Sequence, residues 1–223
     1  MLEIKKGTPP ACLSVLQSTP GATWASVTGE QKDELRAAAR AEQHGLCAYC
    51  NRRVRNLRDA RTGQPDCTIE HWAPRNPADG GEGDPFHWPD LLLVCPGVTQ
   101  GTLHCDKARG NQPLKLHPTA PGLDGRVRHL GDGRIEIDGH SHDIKILNLN
   151  HSTLCQGRRQ VFNATLDAAT RADPTRLRDM IARYERPDAD GDLPEHAGVA
   201  LYLLRRALKQ REAKGQRLRN KAP

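Results

Sequence analysis

Cys47-Ala-Tyr-Cys50 is followed at a distance by Cys95 and Cys105, and the adjacent pair Glu70-His71 lies between these two half-sites. A CxxC with two later cysteines is a ligand set for one tetrahedral zinc. A redox CxxC is the rival chemistry. It wants a strand before the pair and its first sulfur at a helix N-terminus, whereas here a helix is expected to end just before Cys47. Four thiolates around one structural zinc is therefore the reading adopted, with a reducing, cytoplasmic setting. The chain has seven cysteines, and an odd number argues against a complete disulfide framework. Cys12 and Cys155 lie in apolar surroundings and read as buried small residues. Cys67 reads as a packing residue or a spare ligand. A carboxylate suits a hard divalent cation, and a neutral imidazole beside it can activate water. Glu70 and His71 form such a pair, and Asp90, which opens the apolar run Leu91-Leu92-Leu93-Val94, adds a second carboxylate or serves as a helix cap.

These groups need elements to hold them. Residues 1–27 read as an irregular lead with two proline breaks. Thr28-Gly29-Glu30-Gln31 has the form of a capping box, and the spacing of Leu35, Ala38 and Ala39 predicts a helix over 31–44 that Gly45 stops. Residues 46–51 form a tight knuckle around the CxxC, and 55–66 read as a charged loop. Residues 67–72 predict a short strand, on which Glu70 and His71 face opposite ways unless the strand ends or twists there; 74–83 is a Pro/Gly-rich loop. The run at 90–95 fits a strand or a helical turn, and 104–110 a turn leading into a short helix. Gly131-Asp132-Gly133 makes a hairpin of 126–130 and 134–137. Residues 144–149 alternate apolar and polar, with Asn150-His151-Ser152 as a cap for the next helix. Helical spacing covers 153–170, 175–184 and roughly 196–217, the last with Leu201, Leu204 and Leu208 on one face. The organisation expected is a lead and helix at 1–44, a zinc-stabilised core at 45–120 and a hairpin plus helical extension at 121–223.

Composition narrows the function classes. Aromatics are 4% of 223 residues, so the core must rest on aliphatic side chains. No stretch approaches the roughly 18 apolar residues of a membrane span, and the opening MLEIKKGTPP lacks the apolar segment of a secretory signal. The net charge is +6, but residues 205–221 alone carry +7 and the remainder −1. Such a tail suits phosphate backbones; a solvated helix end is the plain alternative. A second cluster, Arg52, Arg53, Arg55, Arg58 and Arg61, follows the CxxC directly and is the better placed to touch phosphate. No Walker or Rossmann signal is present.

The series CAYC (47–50), TIEHWAP (68–74), DLLLVC (90–95) and HCDKARGN (104–111) resembles the HNH (ββα-metal) nuclease superfamily in its cysteine-flanked form. With the opening IKKGTPP and the later ILNLN, it is similar to a narrower family, the small HNH nuclease subunits of Septu-type and retron-associated anti-phage systems. The resemblance implies an α+β fold, with a zinc-stabilised ββα-metal core and a mainly helical C-terminal region. It implies His71 as general base on the attacking water, Glu70 as ligand of a catalytic Mg2+ or Mn2+, and Asp90 as a further ligand or as the residue that orients the base. Cys47, Cys50, Cys95 and Cys105 match the structural zinc thiolates. Arg109 stands where many members carry a histidine or asparagine. Arginine cannot bind a cation, so His87, His104 and Asn111 are candidates to complete the metal shell, and Arg109 with Lys107 could hold the scissile phosphate.

The function these residues point to is metal-dependent hydrolysis of phosphodiester bonds, in DNA first and with RNA also open. The resemblance adds an ATPase partner and the role of a defence effector, and no membrane partner is expected. The alternative is a non-catalytic zinc module that binds nucleic acid or a partner protein, a reading that Arg109 favours. A zinc deaminase would need His-x-Glu and Pro-Cys-x-x-Cys, and both are absent.

Overall fold

The computed structural model describes residues 1–55, 58, 61, 63, 65–75 and 84–219; most of the loop expected at 74–83, parts of the one at 55–66, and Lys221 of the tail lie outside them. The fold is a mixed α+β arrangement in which short strands and turns surround the cysteines and long helices follow.

The lead is not irregular. Pro10 precedes a helix, α1 (Ala11–Ser18), that buries Cys12, Leu13 and Leu16. Pro9 and Pro10 lie before the helix, where their fixed φ does no harm, and Pro20 follows its C-cap Thr19, so the two breaks mark its start and its end. The capping box at Thr28 forms as expected, with Gln31 N donating to Thr28 Oγ1 at 3.2 Å and Thr28 N to Gln31 Oε1 at 2.9 Å. It opens α2 (Gly29–Glu42), which buries Leu35 and Ala39.

Strand β1 (Thr68–His71) pairs antiparallel with β2 (Leu91–Val94) in the register Thr68↔Val94 to His71↔Leu91. All four residues of β2 are buried. The Gln43 side chain clamps it: Oε1 accepts from Leu93 N at 2.8 Å, and Nε2 donates to Leu93 O and Leu46 O at 2.8 Å each. The CxxC knuckle is thereby fastened to the strand. A two-residue hairpin, β3 (Val98–Thr99) and β4 (Thr102–Leu103), then leads into α3 (Asp106–Arg109). Gly97 begins this turn at φ +69°, where a Cβ would lie 2.7 Å from the His104 carbonyl, so only glycine fits.

After a short helical turn, α4 (Leu123–Arg126), the expected hairpin appears as β5 (Val127–His129) and β6 (Ile135–Ile137). The alternating stretch at 144–149 is not a strand. It belongs to α5 (Ser141–Ile146) and its exit, burying Ile144, Ile146, Leu147 and Leu149. Asn150 does not cap the next helix. Its side-chain amide instead pairs with β6, accepting from Ile135 N at 2.8 Å and donating to Ile135 O at 3.1 Å. Three helices complete the chain: α6 (Ser152–Arg171), α7 (Pro174–Glu185, capped by Asp173) and α8 (Ala197–Arg219). Ion pairs between Arg178 and Glu212 and between Arg205 and Glu185 show that α7 runs antiparallel to α8.

Among the described residues three apolar clusters hold these elements, the smallest joining Leu46, Leu193 and Ala197. One runs from Met1 and α1 through the four thiols and β2 to Leu149 and Leu154. It crosses both expected boundaries, near 44 and 120, so those segments share a core. The second lies between the last three helices, around Ala169, Leu177, Ala200 and Leu204. Among the described residues no helix is long and apolar enough to cross a membrane.

Candidate metal centre and the strand beside it

The knuckle, the end of β2 and the residue before α3 each deliver sulfur to one point. The ligand atoms of Cys47, Cys50, Cys95 and Cys105 all lie within 4.8 Å of one another, and all four residues are buried. Burial pushes Cys50 and Cys105 well above the ordinary thiol range, while hydrogen bonds from the Cys105, Cys47 and Cys50 thiols and from His104 hold Cys95 down as a thiolate. Four buried sulfurs cannot all ionise on their own, and a dication among them offsets the charge. The donor set therefore fits a structural metal such as Zn2+. His104 belongs to this cluster and not to a second metal shell. It is fully buried, with Nδ1 3.3 Å from Cys105 Sγ and Nε2 2.9 Å from Thr99 Oγ1. Cys67 is buried but outside the four, Cys12 is buried beside α2, and Cys155 is only partly buried.

On β1 the alternation holds, and Glu70 and His71 face different partners. Glu70 looks toward α3, where its carboxylate is paired with Arg109 Nη1, and the Tyr49 hydroxyl lies 3.5 Å away. Burial, then the neighbouring Asp106 carboxylate, push Glu70 up to about 8 against the pull of Arg109. Asp106, directly after Cys105 at the start of α3, is the second acid of this corner, beside Glu70 as well as near Arg109 in sequence.

His71 looks the other way. Its Nε2–H donates to the Pro85 carbonyl at 3.0 Å, and its ring meets Trp24 edge-on at 4.4 Å. Burial lowers its pKa to about 4, with smaller opposing effects from Pro85 and Asp90. The imidazole is therefore neutral at pH 7, its proton sits on Nε2, and Nδ1 carries the lone pair.

Arg109 is turned inward. It is 2% exposed, and besides Glu70 it donates to Gln112 O (Nε, 2.8 Å), His71 O (Nη1, 3.1 Å) and Trp72 O (Nη2, 2.6 Å). It is a strut between α3 and the end of β1, with its donors committed to the protein, so it does not serve as a phosphate donor. Its fork geometry suits several oxygens in one plane, a task lysine cannot perform.

Asp90 does not join Glu70. Oδ1 accepts from His117 Nε2 at 3.0 Å and Oδ2 from His87 Nδ1 at 2.9 Å. Burial opposes its charge, but these two hydrogen bonds prevail and hold the carboxyl below its ordinary range. Among the described residues, the four thiols are the one group of three or more metal-ligating side chains that converges. The oxygen site expected from Glu70 and Asp90 is therefore not assembled, because one carboxylate is taken by a guanidinium and the other by two imidazoles. Asn111 is exposed and His87 holds Asp90, so neither completes it.

The basic clusters are partly consumed by the fold. Arg53 pairs with Asp192, Arg58 with Asp33, and Arg205 with Asp124 and Glu185. Arg211 donates to the carbonyls of Ala169, Thr170 and Ala172 and so closes the C-terminus of α6.

No protein-family model matches this sequence, and no curated protein matches it either. What the chain carries on its own residues is an α+β fold organised around a buried four-cysteine cluster able to hold a metal.

Proposed function

We propose that this chain is a zinc-organised module of the HNH (ββα-metal) type that binds nucleic acid and hydrolyses phosphodiester bonds in DNA, with His71 as the base. The observation that supports this reading is the fixed tautomer of His71. A carbonyl can only accept, so Pro85 holds the proton on Nε2 and leaves Nδ1 to take one from water. The order of two antiparallel strands followed by a short helix, stapled by thiols at both ends, suits the same reading. Zinc at the thiols supplies folding energy and no chemistry. A catalytic Mg2+ or Mn2+ would supply charge stabilisation at the phosphate. Glu70 and Asp90 do not form its seat; Glu70 and Asp106 are the carboxylates that lie together. The resemblance to Septu-type subunits adds an ATPase partner and an anti-phage role to the proposal.

A second reading, a non-catalytic zinc module that binds nucleic acid or a partner, is favoured by a specific observation: Arg109 already occupies the Glu70 carboxyl. This reading needs only what the thiol cluster provides. A nicking assay on supercoiled DNA separates the two, run on zinc-loaded protein with Mg2+, with Mn2+ and with EDTA. Nicking by the wild type and its loss in His71→Ala are expected. Binding to DNA without nicking in every condition would establish the second reading.

A further inference from the structure

Asp90 has no place at a cation beside Glu70, yet it is one of the most deliberately held carboxylates in the molecule. His117 fixes one oxygen. Its Nδ1 accepts from Thr119 N at 3.1 Å and lies 2.7 Å from Thr119 Oγ1, so its proton is on Nε2 and is given to Asp90. The Trp72 ring packs on His117 at 4.5 Å, and the Trp72 indole N–H donates to Leu116 O at 3.0 Å, which locks that imidazole from behind. The second oxygen receives Nδ1–H of His87. His87 differs from the others because its side chain is 53% exposed, so Nε2 lies on the water side of an Asp–His pair. A carboxylate on one nitrogen orients the ring.

The dyad and His71 hang from one stretch of chain. The carbonyl that holds His71 belongs to Pro85, two residues before His87, and the Asp90 carbonyl accepts from Trp72 N at 2.9 Å, the residue after His71. Asp90 also acts on His71 through space.

We propose that His87 is the general acid of the reaction for which His71 is the base, with Asp90 and His117 as its positioning residues. This assignment rests on the hydrolytic reading above. In the step, a water oxygen bonds to phosphorus while its proton passes to His71 Nδ1. The bond from phosphorus to the leaving sugar oxygen breaks, and the proton on His87 Nε2 moves to that oxygen. His87 is left neutral and His71 protonated, and solvent restores both.

The test uses two substrates on the zinc-loaded full chain with Mg2+ or Mn2+ present: supercoiled DNA, whose leaving alkoxide needs a proton, and bis(4-nitrophenyl) phosphate, whose phenolate does not. His87→Ala should slow DNA nicking by about 100-fold and leave ester hydrolysis close to wild type. Asp90→Asn should show the same selectivity more weakly, and His71→Ala should lose both activities. Equal losses on both substrates in His87→Ala, or no loss on either, overturn the assignment while hydrolysis by His71 stands. A wild type that cleaves neither substrate overturns the hydrolytic reading itself and this assignment with it.

Discussion

The thiol-centred region and the three-helix region solve the same problem by opposite means. Around residues 46–110 the strands are two to four residues long, and the sulfurs and buried polar struts such as Gln43 and Arg109 join short segments that also share the larger apolar core. Between α6, α7 and α8 the contacts are Leu177, Leu204 and small alanines, and the polar ties are ordinary caps and surface ion pairs. Where elements are long enough to present an apolar face, packing suffices; where they are short, ligands and hydrogen bonds add to it. The chemistry we propose sits on the first region, where its groups are fixed by bonds with direction.

The contrast is most severely tested by removing the metal. A zinc on four cysteines contributes on the order of 10 kcal/mol to the unit it folds. All three tryptophans, Trp24, Trp72 and Trp88, lie in the region around β1 and β2, whereas most helical residues lie in α6–α8. Chelation, or Cys105→Ser, should shift the tryptophan fluorescence to the red while much of the 222 nm ellipticity persists. Simultaneous loss of both signals would mean that the core shared from Met1 to Leu154 binds the two regions into one transition.

The thiol centre was legible because its ligands come in short local patterns, a CxxC and two cysteines flanking an apolar run. The opposite faces of Glu70 and His71 were legible because strand alternation is a covalent fact. The neighbours were not. His117 reaches Asp90 across 27 positions, and nothing in the spacing announces it. Arg109 read as a reagent because a charge near a candidate site is usually solvated, whereas here strand ends left carbonyls at His71 and Trp72 that needed a donor. At 144–149 apolar and polar residues alternate over a short window, yet the residues from Ser141 onward make a short helix with its own buried face.

A smaller effect comes from the reverse perturbation. Leu204 is fully buried between the last helices, and Leu204→Ala should cost about 2–5 kcal/mol. The ellipticity should then melt at lower denaturant while zinc affinity and tryptophan emission hold. A matching loss of zinc affinity would erase the distinction between the regions.

Acid gives the finest comparison because it reaches both. Burial holds His71 at about 4 on the thiol side, and His129 and His196 at about 2 and about 3 beside the helices. Their unfolded values are near 6.5, so between 6.5 and the folded values the unfolded chain binds the extra protons. Stability should therefore fall as pH drops below 6.5, and the His71 contribution should level off near pH 4 while the other two continue. Denaturant melts at pH 7, 5.5 and 4, read by fluorescence and by ellipticity, check this; constant midpoints would contradict it.

Asn150 gives one amide the job of a missing strand. With both backbone groups of Ile135 satisfied by that side chain, the outer margin of a two-stranded ribbon is closed at that residue to a passing extended segment, and the ribbon is protected there from growing into a larger sheet with another molecule.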